Sequence, residues 1–531
     1  MSDTALNAER RAREWAELEA GHRPDLLVIG GGVTGAGIAL DAAARGLDVT
    51  LIDAHDLAFG TSRWSSKLAH GGLRYLASGN VGIAMRSARE RGTLMEVTAP
   101  HLVRALPQVV PVHDSVAPKS LIPRVGFFLG DLLRAAAGTS PKTLPRSRTV
   151  SARRVAELAP TVRREGLKFG FVNNDGQLVD DARLVIALAR TAAGHGAKVL
   201  TKVRATGATG SGATLRDDVS GRTIDVRAGA VVNATGVWAG QLADGISVRP
   251  SRGTHLVVDA ARLGNPTGSL TVPVPGSVNR FCFVLPAQLG RAYIGLTDEA
   301  SPGPIPDVPE VPEADIVFLL DVINRALAVP LTRDDVVGAF AGLRPLIDAG
   351  DGDTADLSRE HAIIVGDDGL ITVTGGKLTE YRLMAEQAVD GIVARLSGAA
   401  DARGGAFRDC FTTNLPLVGA PGADDESGRI RRPSSPASAS EPLPESLPES
   451  LGRRYGAEAE AVVAACALER PLDPVAPGID VVRAEFAWFV THEGALDVGD
   501  ILDRRSRIGL VDADRDAALP AAEEALRLFG R

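Results

Sequence analysis

Cysteine is scarce: the 531 residues include only Cys282, Cys410 and Cys466. They lie far apart and form no C-x-x-C pair, which excludes a disulfide framework, a cysteine zinc site and a redox-active dithiol. A reducing, cytoplasmic setting is expected, with no metal site and no cysteine placed to attach a cofactor covalently. Long apolar runs are also missing, since no stretch reaches the roughly 18 apolar residues of a membrane span. The N-terminus mixes Glu9, Arg10, Arg11, Arg13 and Glu14 and lacks the apolar core of a signal peptide. Positive charge is not in excess either. At a net charge of −8 the chain has no general attraction to polyanions, so a nucleic-acid partner is not expected.

What is present is apolar content of 45%, ample for burial, on a chain too long for one core; two or three domains are expected. The most informative segment is DLLVIGGGVTGAGIALDAAARGLDVTLID from Asp25. Leu26 to Ile29 reads as a buried parallel strand. Gly30, Gly31, Gly32, Thr34 and Gly35 then form a G-x-G-x-x-G turn that brings backbone N–H groups and a helix N-terminus to a pyrophosphate. Gly37 extends the pattern and is expected to let the helix lie close on the sheet. The strand Val49 to Ile52 delivers Asp53, an acid placed to accept hydrogen bonds from a ribose. Alone the glycine pattern is weak; with strand, helix and acid in place it indicates a dinucleotide. Thr61, Ser62, Ser65, Ser66, Lys67 and Leu68 follow, a run of small hydroxyls and one cation. It suits a loop wrapped along FAD, and equally a solvated polar loop.

Residues 1–24 read as a short polar helix or frayed extension. The oxidoreductase region spans 25–400, its cofactor domain discontinuous, because Ala228 to Val232, Ala362 to Val365 and Leu370 to Val373 have the strand character to return to the first sheet. Substrate or cap segments at roughly 105–175 and 250–340, including HLVVD from His255 and RFCFVLPAQLGRAYIGLTD from Arg280, read as antiparallel strands. Residues 419–449 are rich in Pro, Ser, Gly and Ala and read as a linker. Helical signals occupy 450–531. The expected architecture is an α/β FAD-binding Rossmann-like domain with an antiparallel-sheet cap domain and a C-terminal helical domain.

Several short motifs could carry chemistry. His70-Gly71-Gly72-Leu73-Arg74-Tyr75 puts a histidine, two glycines, a cation and a phenol together, although a surface arginine and a half-buried tyrosine would look the same. Val232 to Trp238 is a strand ending in small residues, with Gly236 at its turn. Gly342-Leu343-Arg344-Pro345 presents an arginine at a rigid turn, with Arg359 further on. Gly375, Gly376, Lys377, Leu378 and Thr379 open a helix whose N-terminus beside a lysine suits negative charge, or forms an ordinary capped turn. Lys119 to Arg134 mixes Leu121, Phe127, Phe128, Leu129, Leu132 and Leu133 with Lys119, Arg124 and Arg134. That pattern fits a packed helix or one lying at a membrane surface.

The runs TSRWSSKLAHGGLRYL from Thr61, VNATGVWA from Val232, RGTHLVV from Arg252, GLRPL from Gly342, TGGKLTEYR from Thr374 and HEGALDVGDILDRRSRIGL from His492 resemble the FAD-dependent glycerol-3-phosphate dehydrogenases. The resemblance covers nearly the whole chain and fails at residues 1–24 and across the Pro/Ser-rich segment. It implies FAD as cofactor, oxidation of sn-glycerol 3-phosphate to dihydroxyacetone phosphate with hydride passing to the flavin, and a quinone as acceptor. An oxygen-using oxidase of the same family and a non-enzymatic redox-sensing flavoprotein are the alternatives. It further implies that Arg74, Arg344, Arg359 and Lys377 match anion-binding and flavin-side groups, that His255 takes the hydroxyl proton, and that Tyr75 orients the substrate. A homo-oligomer, a dimer, is expected, cytoplasmic with peripheral contact on the inner membrane face. Two departures stand out. Gly295-Leu296-Thr297-Asp298 replaces a Gly-Thr-Thr-Asp stretch, and the long linker predicts a loosely tethered C-terminal domain.

Overall fold

The computed structural model describes residues 3–77, 79–113, 121–277, 280–347, 360–401, 407–423 and 447–530. Leu26–Ile29 is fully buried and pairs in parallel with Val49–Ile52 on one side and Ala230–Asn233 on the other. The six-stranded sheet is completed by Lys198–Leu200, Ile371–Gly375 and, antiparallel at the edge, His361–Val365. The expected late returns to the first sheet are therefore present. Burial on both faces explains the uninterrupted apolar strands. The helices Val33–Ala44, Asp181–Gly194 and Tyr381–Asp401 contribute to the core on one face. The opposite face is covered by a three-stranded antiparallel sheet, Val203–Thr209, Gly212–Asp217 and Thr223–Arg227, together with Trp15 and Leu18.

Those two side chains belong to the helix Ala8–Glu19, which is not a frayed extension. Asn7 caps it through Arg10 N–H, and Arg11 reaches Asp217 at 2.5 Å. Gly37 also differs from expectation. A Cβ there would meet Tyr381 at 3.1 Å and Ala385 at 3.6 Å, so this glycine permits helix-on-helix packing, while Gly35 is the one pressed against the first turn.

The second sheet has ten strands and is mostly antiparallel, with one parallel pair, Ser269–Pro273 beside Val103–His113. Its two long neighbours Val248–Asp259 and Val336–Ile347 run antiparallel with Ser251 opposite Arg344, Gly253 opposite Gly342 and His255 opposite Phe340. Because side chains alternate along a strand, those six residues share one face. The helix Glu313–Asn324 supports the sheet through Ile316, Leu319 and Ile323.

The C-terminal helices Glu449–Tyr455, Ala459–Ala464, Arg483–His492 and Asp512–Phe529 enclose their own core around Tyr455, Phe486, Phe489 and Leu502. The stretch Asp500–Arg505, expected as α-helix, is a π-helical turn. Loose tethering is overturned. Ion pairs join the domain to the rest: buried Arg183 with Glu493 at 2.7 Å, Arg190 with half-buried Glu458 at 2.7 Å, and buried Arg504 and Arg505 with Asp56 at 2.6 and 2.5 Å. Such pairs cost desolvation but fix one docking geometry, since breaking one strands a buried charge. Most of the Pro/Ser-rich segment lies outside the described residues, while Leu417, Val418 and Ala420 at its approach are buried.

Candidate active site

The dinucleotide turn is built as its spacing requires. Gly30 has φ +115° and closes against Ala234, and a Cβ on Gly35 would collide with the Gly30 carbonyl, so neither position accepts a side chain. Gly31 N–H donates to Asp53 Oδ2 at 2.6 Å, and Val33 N–H, in the first helical turn beside Thr34, donates to Ser62 Oγ at 2.9 Å. Burial at the strand end pushes the Asp53 carboxyl up to about 6, against hydrogen bonds from His55 and Gly31 N–H that lower it. This bare glycine cradle with a strand-end acid fits the adenosine and pyrophosphate of FAD. Thr235 Oγ1 donates to Asn233 Oδ1 at 2.7 Å, and the Gly236 carbonyl accepts from Thr374 Oγ1 at 3.3 Å. Thus the second strand end is tied to the first sheet.

The run after the turn divides its labour. Thr61 Oγ1 donates to the Leu343 carbonyl at 2.6 Å, Ser65 gives both N–H and Oγ to Asp181, and Ser66 Oγ meets His255 Nε2 at 2.9 Å. Lys67 is a correction to the picture of a cation facing the cofactor. Its ammonium is buried against Asp181 at 2.9 Å and the Arg63 carbonyl at 2.8 Å. Leu68 begins a two-residue strand paired with Gln177.

His255 is 1% exposed and stacks on Phe340 with ring centroids 4.8 Å apart. Its ring lies where a Cβ on Gly295 would be, which is why that partner strand ends in glycine. Burial holds the imidazole well below its ordinary range, and the nearby Lys67 and Arg344 cations act in the same direction. It is therefore neutral at pH 7, and its Nδ1 has no hydrogen-bond partner. Arg344 lies over Gly253 on the same face, with Nη1 at 3.2 Å from Asp298 Oδ1 and 3.4 Å from Ser251 Oγ. A cation thus stands two strand positions from a neutral base.

A second group forms where helices meet. Lys377 Nζ sits 3.8 Å from the centre of the Tyr75 ring, 3.0 Å from Ser87 Oγ and 3.3 Å from Glu380 Oε1. Leu378 and Thr379 open the turn before Tyr381–Asp401, and Thr379 Oγ1 accepts from His70 N–H at 3.1 Å. His70 Nδ1 meets Asp175 Oδ2 at 2.9 Å, and the same carboxylate accepts from Arg91 at 2.7 Å. Burial alone would raise Asp175, but Arg91 and His70 outweigh it and hold it low. Gly376, at φ +76°, turns the chain against Met384 and His361.

The structure therefore gathers Ser66, His255 and Arg344 on one sheet face, and His70, Tyr75, Lys377 and Thr379 beside the helices. Arg74 lies on the helix Leu73–Ala77, its side chain outside the description, and Arg359 lies outside the described residues altogether. Sequence reading missed Asp175, Arg91, Asp181, Ser87, Asp298 and Glu380, which hold the named residues in place. Most come from distant segments; Asp298, the acid of the altered Gly-Leu-Thr-Asp stretch, and Glu380, three residues after Lys377 in the TGGKLTEYR run, carried a local signal. Among the described residues no cluster of three or more metal-ligating side chains occurs.

Comparison with known proteins identifies the family. The FAD dependent oxidoreductase family matches residues 25–382, and the C-terminal domain of alpha-glycerophosphate oxidase matches residues 410–531. The chain is 56% identical over 528 residues to glycerol-3-phosphate dehydrogenase 1 of Mycobacterium tuberculosis, covering 98% of each. It also superposes on a glycerol-3-phosphate dehydrogenase from Bacillus halodurans complexed with FAD, at TM-score 0.70 and 27% identity over 97% of this chain and 94% of that one. An L-alpha-glycerophosphate oxidase from Mycoplasma pneumoniae, at TM-score 0.53 and 17% identity over 70% of this chain and 95% of that one, shares the fold.

Proposed function

This chain belongs to the family of FAD-dependent glycerol-3-phosphate dehydrogenases, and we propose that it oxidises sn-glycerol 3-phosphate to dihydroxyacetone phosphate and delivers the electrons to a quinone. The observation that carries this reading is the placement of Arg344 and the buried, neutral His255 on one sheet face. A phosphomonoester dianion needs a cation, and arginine's planar fork matches its oxygens. Loss of hydride from C2 needs a group to take the hydroxyl proton, which a neutral imidazole can do. FAD, when bound, supplies the hydride acceptor.

Arg344 holds the phosphate, sharing its guanidinium with Asp298. His255, anchored through Nε2 by Ser66, offers its unpartnered Nδ1 to the hydroxyl proton. The dianion that Arg344 admits raises the basicity of an imidazole otherwise depressed by burial and cations. Tyr75 and Lys377 would stand beside bound FAD, where a cation suits the negative charge that reduction places on the flavin. A second reading of the proton acceptor has its own observation: His70, with a side chain 52% exposed, is oriented by a carboxylate in the manner of a general base.

A quinone acceptor is supported by the helix Leu121–Ala136. Phe128 is 60% exposed there, with Leu129 and Leu132 also exposed, and Lys142, Arg146 and Arg148 follow on the surface. Apolar and basic groups side by side suit an anionic membrane face. Arg134 is not part of that surface, because it is buried and donates to the Thr139 carbonyl at 2.6 Å. Among the described residues no helix is long and apolar enough to cross a membrane, so the contact we propose is peripheral.

Anaerobic addition of glycerol 3-phosphate should bleach the flavin, while glycerol should not at equal concentration. Reoxidation should be fast with a short-chain quinone and slow with oxygen, with little peroxide formed. Rapid stoichiometric peroxide would make the protein an oxidase. Phe127→Glu with Phe128→Glu should abolish sedimentation with anionic vesicles and leave dye reduction intact; undiminished sedimentation would remove the membrane from the proposal.

A further inference from the structure

The run HEGALDVGDILDRRSRIGL carries an arginine that the proposed chemistry does not use. Arg507 is 1% exposed and stands at φ +65°, a backbone conformation seldom adopted by a side chain of this kind. Its Nη1 donates to the Asp503 carbonyl at 2.5 Å, Nη2 donates to the Arg63 carbonyl at 2.8 Å, and Nε lies 3.4 Å from Asp180 Oδ2. The guanidinium also sits 4.9 Å over the Trp64 indole. A residue of the C-terminal domain therefore grips the backbone and the ring at the start of the run that ends on His255.

Two paths lead from that grip to the imidazole. Along the first, the Arg63 carbonyl also accepts from Lys67 Nζ, Lys67 pairs with Asp181, and Asp181 accepts Ser65 N–H at 2.9 Å and Ser65 Oγ at 2.7 Å. That fixes the backbone on both sides of Ser66, whose Oγ meets His255 Nε2. Along the second, Trp64 lies 5.7 Å from Phe340 between ring centroids and fills the space over Gly342, while Phe340 stacks on His255. Lys67 Nζ lies 5.0 Å over that same Phe340 ring, so the paths meet again.

We propose that Arg507 is a positioning residue for His255, holding Arg63 and Trp64 so that Ser66 and Phe340 fix the imidazole; the C-terminal domain is then part of the active-site framework. This rests on the reading of His255 as proton acceptor. Its geometric content stands apart from that reading, because the imidazole is held whether or not it takes the proton. The charged groups bearing on His255 are Lys67 and Arg344. Those around Arg507 are Arg63, Lys67 and Asp180.

The test compares Arg507→Met and Arg507→Lys with Glu458→Gln, all as FAD-loaded full chains. Glu458 pairs with Arg190 across the same domain boundary at 2.7 Å but touches none of the residues on the two paths. Arg507→Met should keep its FAD and slow anaerobic flavin reduction roughly ten- to a hundredfold, the scale of a sub-ångström misplacement of a catalytic group. The acid limb of its pH profile should move to higher pH as water reaches the imidazole, and diethyl pyrocarbonate should label His255 faster than in wild type. Arg507→Lys, which keeps the charge but loses the fork, should fall between, and it is read in place of Arg507→Met if that variant does not fold. Glu458→Gln should match wild type in all three. Equal losses in Glu458→Gln, or wild-type labelling and rate in the Arg507 variants, would overturn the proposal. If His255→Ala reduces flavin normally, the proton role fails, and the labelling result still decides the positioning.

Discussion

The two residue groups of the proposed site are made of different material. Arg344 and His255 sit on neighbouring strands of twelve residues each, paired along almost their full length, with His255 enclosed by Phe340, Gly295 and Ser66. Tyr75 sits on a helix of five residues, Leu73–Ala77, too short to be stable by itself, and is held by its contact with Lys377 and by packing near Leu76 and Leu133. One side is fixed by backbone pairing, the other by side chains. In the proposed function, the chemistry that needs a fixed distance, phosphate to C2 hydroxyl, falls to the paired group.

The sharpest way to break that comparison is His255→Ala. We expect anaerobic flavin reduction to slow roughly 10²- to 10⁴-fold, the usual worth of a general base, whereas His70→Ala should cost much less. The reverse order would move the proton to the helical side. The same variant sharpens the contrast in stability. The folded pKa of His255 lies below its unfolded value, so the unfolded chain binds the extra proton and wild type loses stability as pH falls through 6.5. His255→Ala is free of that loss, and the stability gap between it and wild type should narrow by about 1.4 kcal/mol for each pH unit below 6.5. Denaturant unfolding at pH 7.5 and 5.5 measures the gap; a constant gap would mean the imidazole is not held neutral.

Arg344→Ala comes next. Removing the phosphate's partner should weaken glycerol 3-phosphate by about 2–5 kcal/mol and leave the far weaker reaction with glycerol unchanged. Equal losses on both would make Arg344 a structural partner of Asp298 and Ser251.

The dinucleotide turn was legible because its information is local. Strand, glycines, helix and acid follow one another within thirty residues, and each has a physical reason to be where it is. The sheet face was half legible: His255 and Arg344 stood out as residue types, but only the pairing of Ser251 with Arg344 and His255 with Phe340 puts them on one face. The buried charges were not legible at all. Lys67 reads as a loop cation until Asp181 arrives from more than a hundred residues away, and Asp56 looks like surface until Arg504 and Arg505 bury it. For the same reason a long Pro/Ser-rich segment suggested a loose domain. Tethering here is set by ion pairs across the interface, whatever the length of the connection.

The smallest expected effect lies on the helical side, in Lys377→Met. Methionine keeps the length and most of the packing while removing the charge over Tyr75, an interaction worth roughly 0.5–2 kcal/mol. Glu380 is buried and loses its cation in this variant, keeping the hydrogen bond from Ser87, so its carboxylate is left partly unpaired. Global stability should therefore fall by about 1–3 kcal/mol, which a thermal melt of the FAD-loaded protein resolves. Flavin reduction should still slow by about tenfold, equivalent to 1.4 kcal/mol, because the cation that would face the reduced flavin is gone and Tyr75 has lost its anchor. A variant that melts far below wild type would show that Lys377 holds the fold. A variant that reduces flavin at the wild-type rate would show that the helical side adjusts without it, leaving the sheet side to carry the reaction alone.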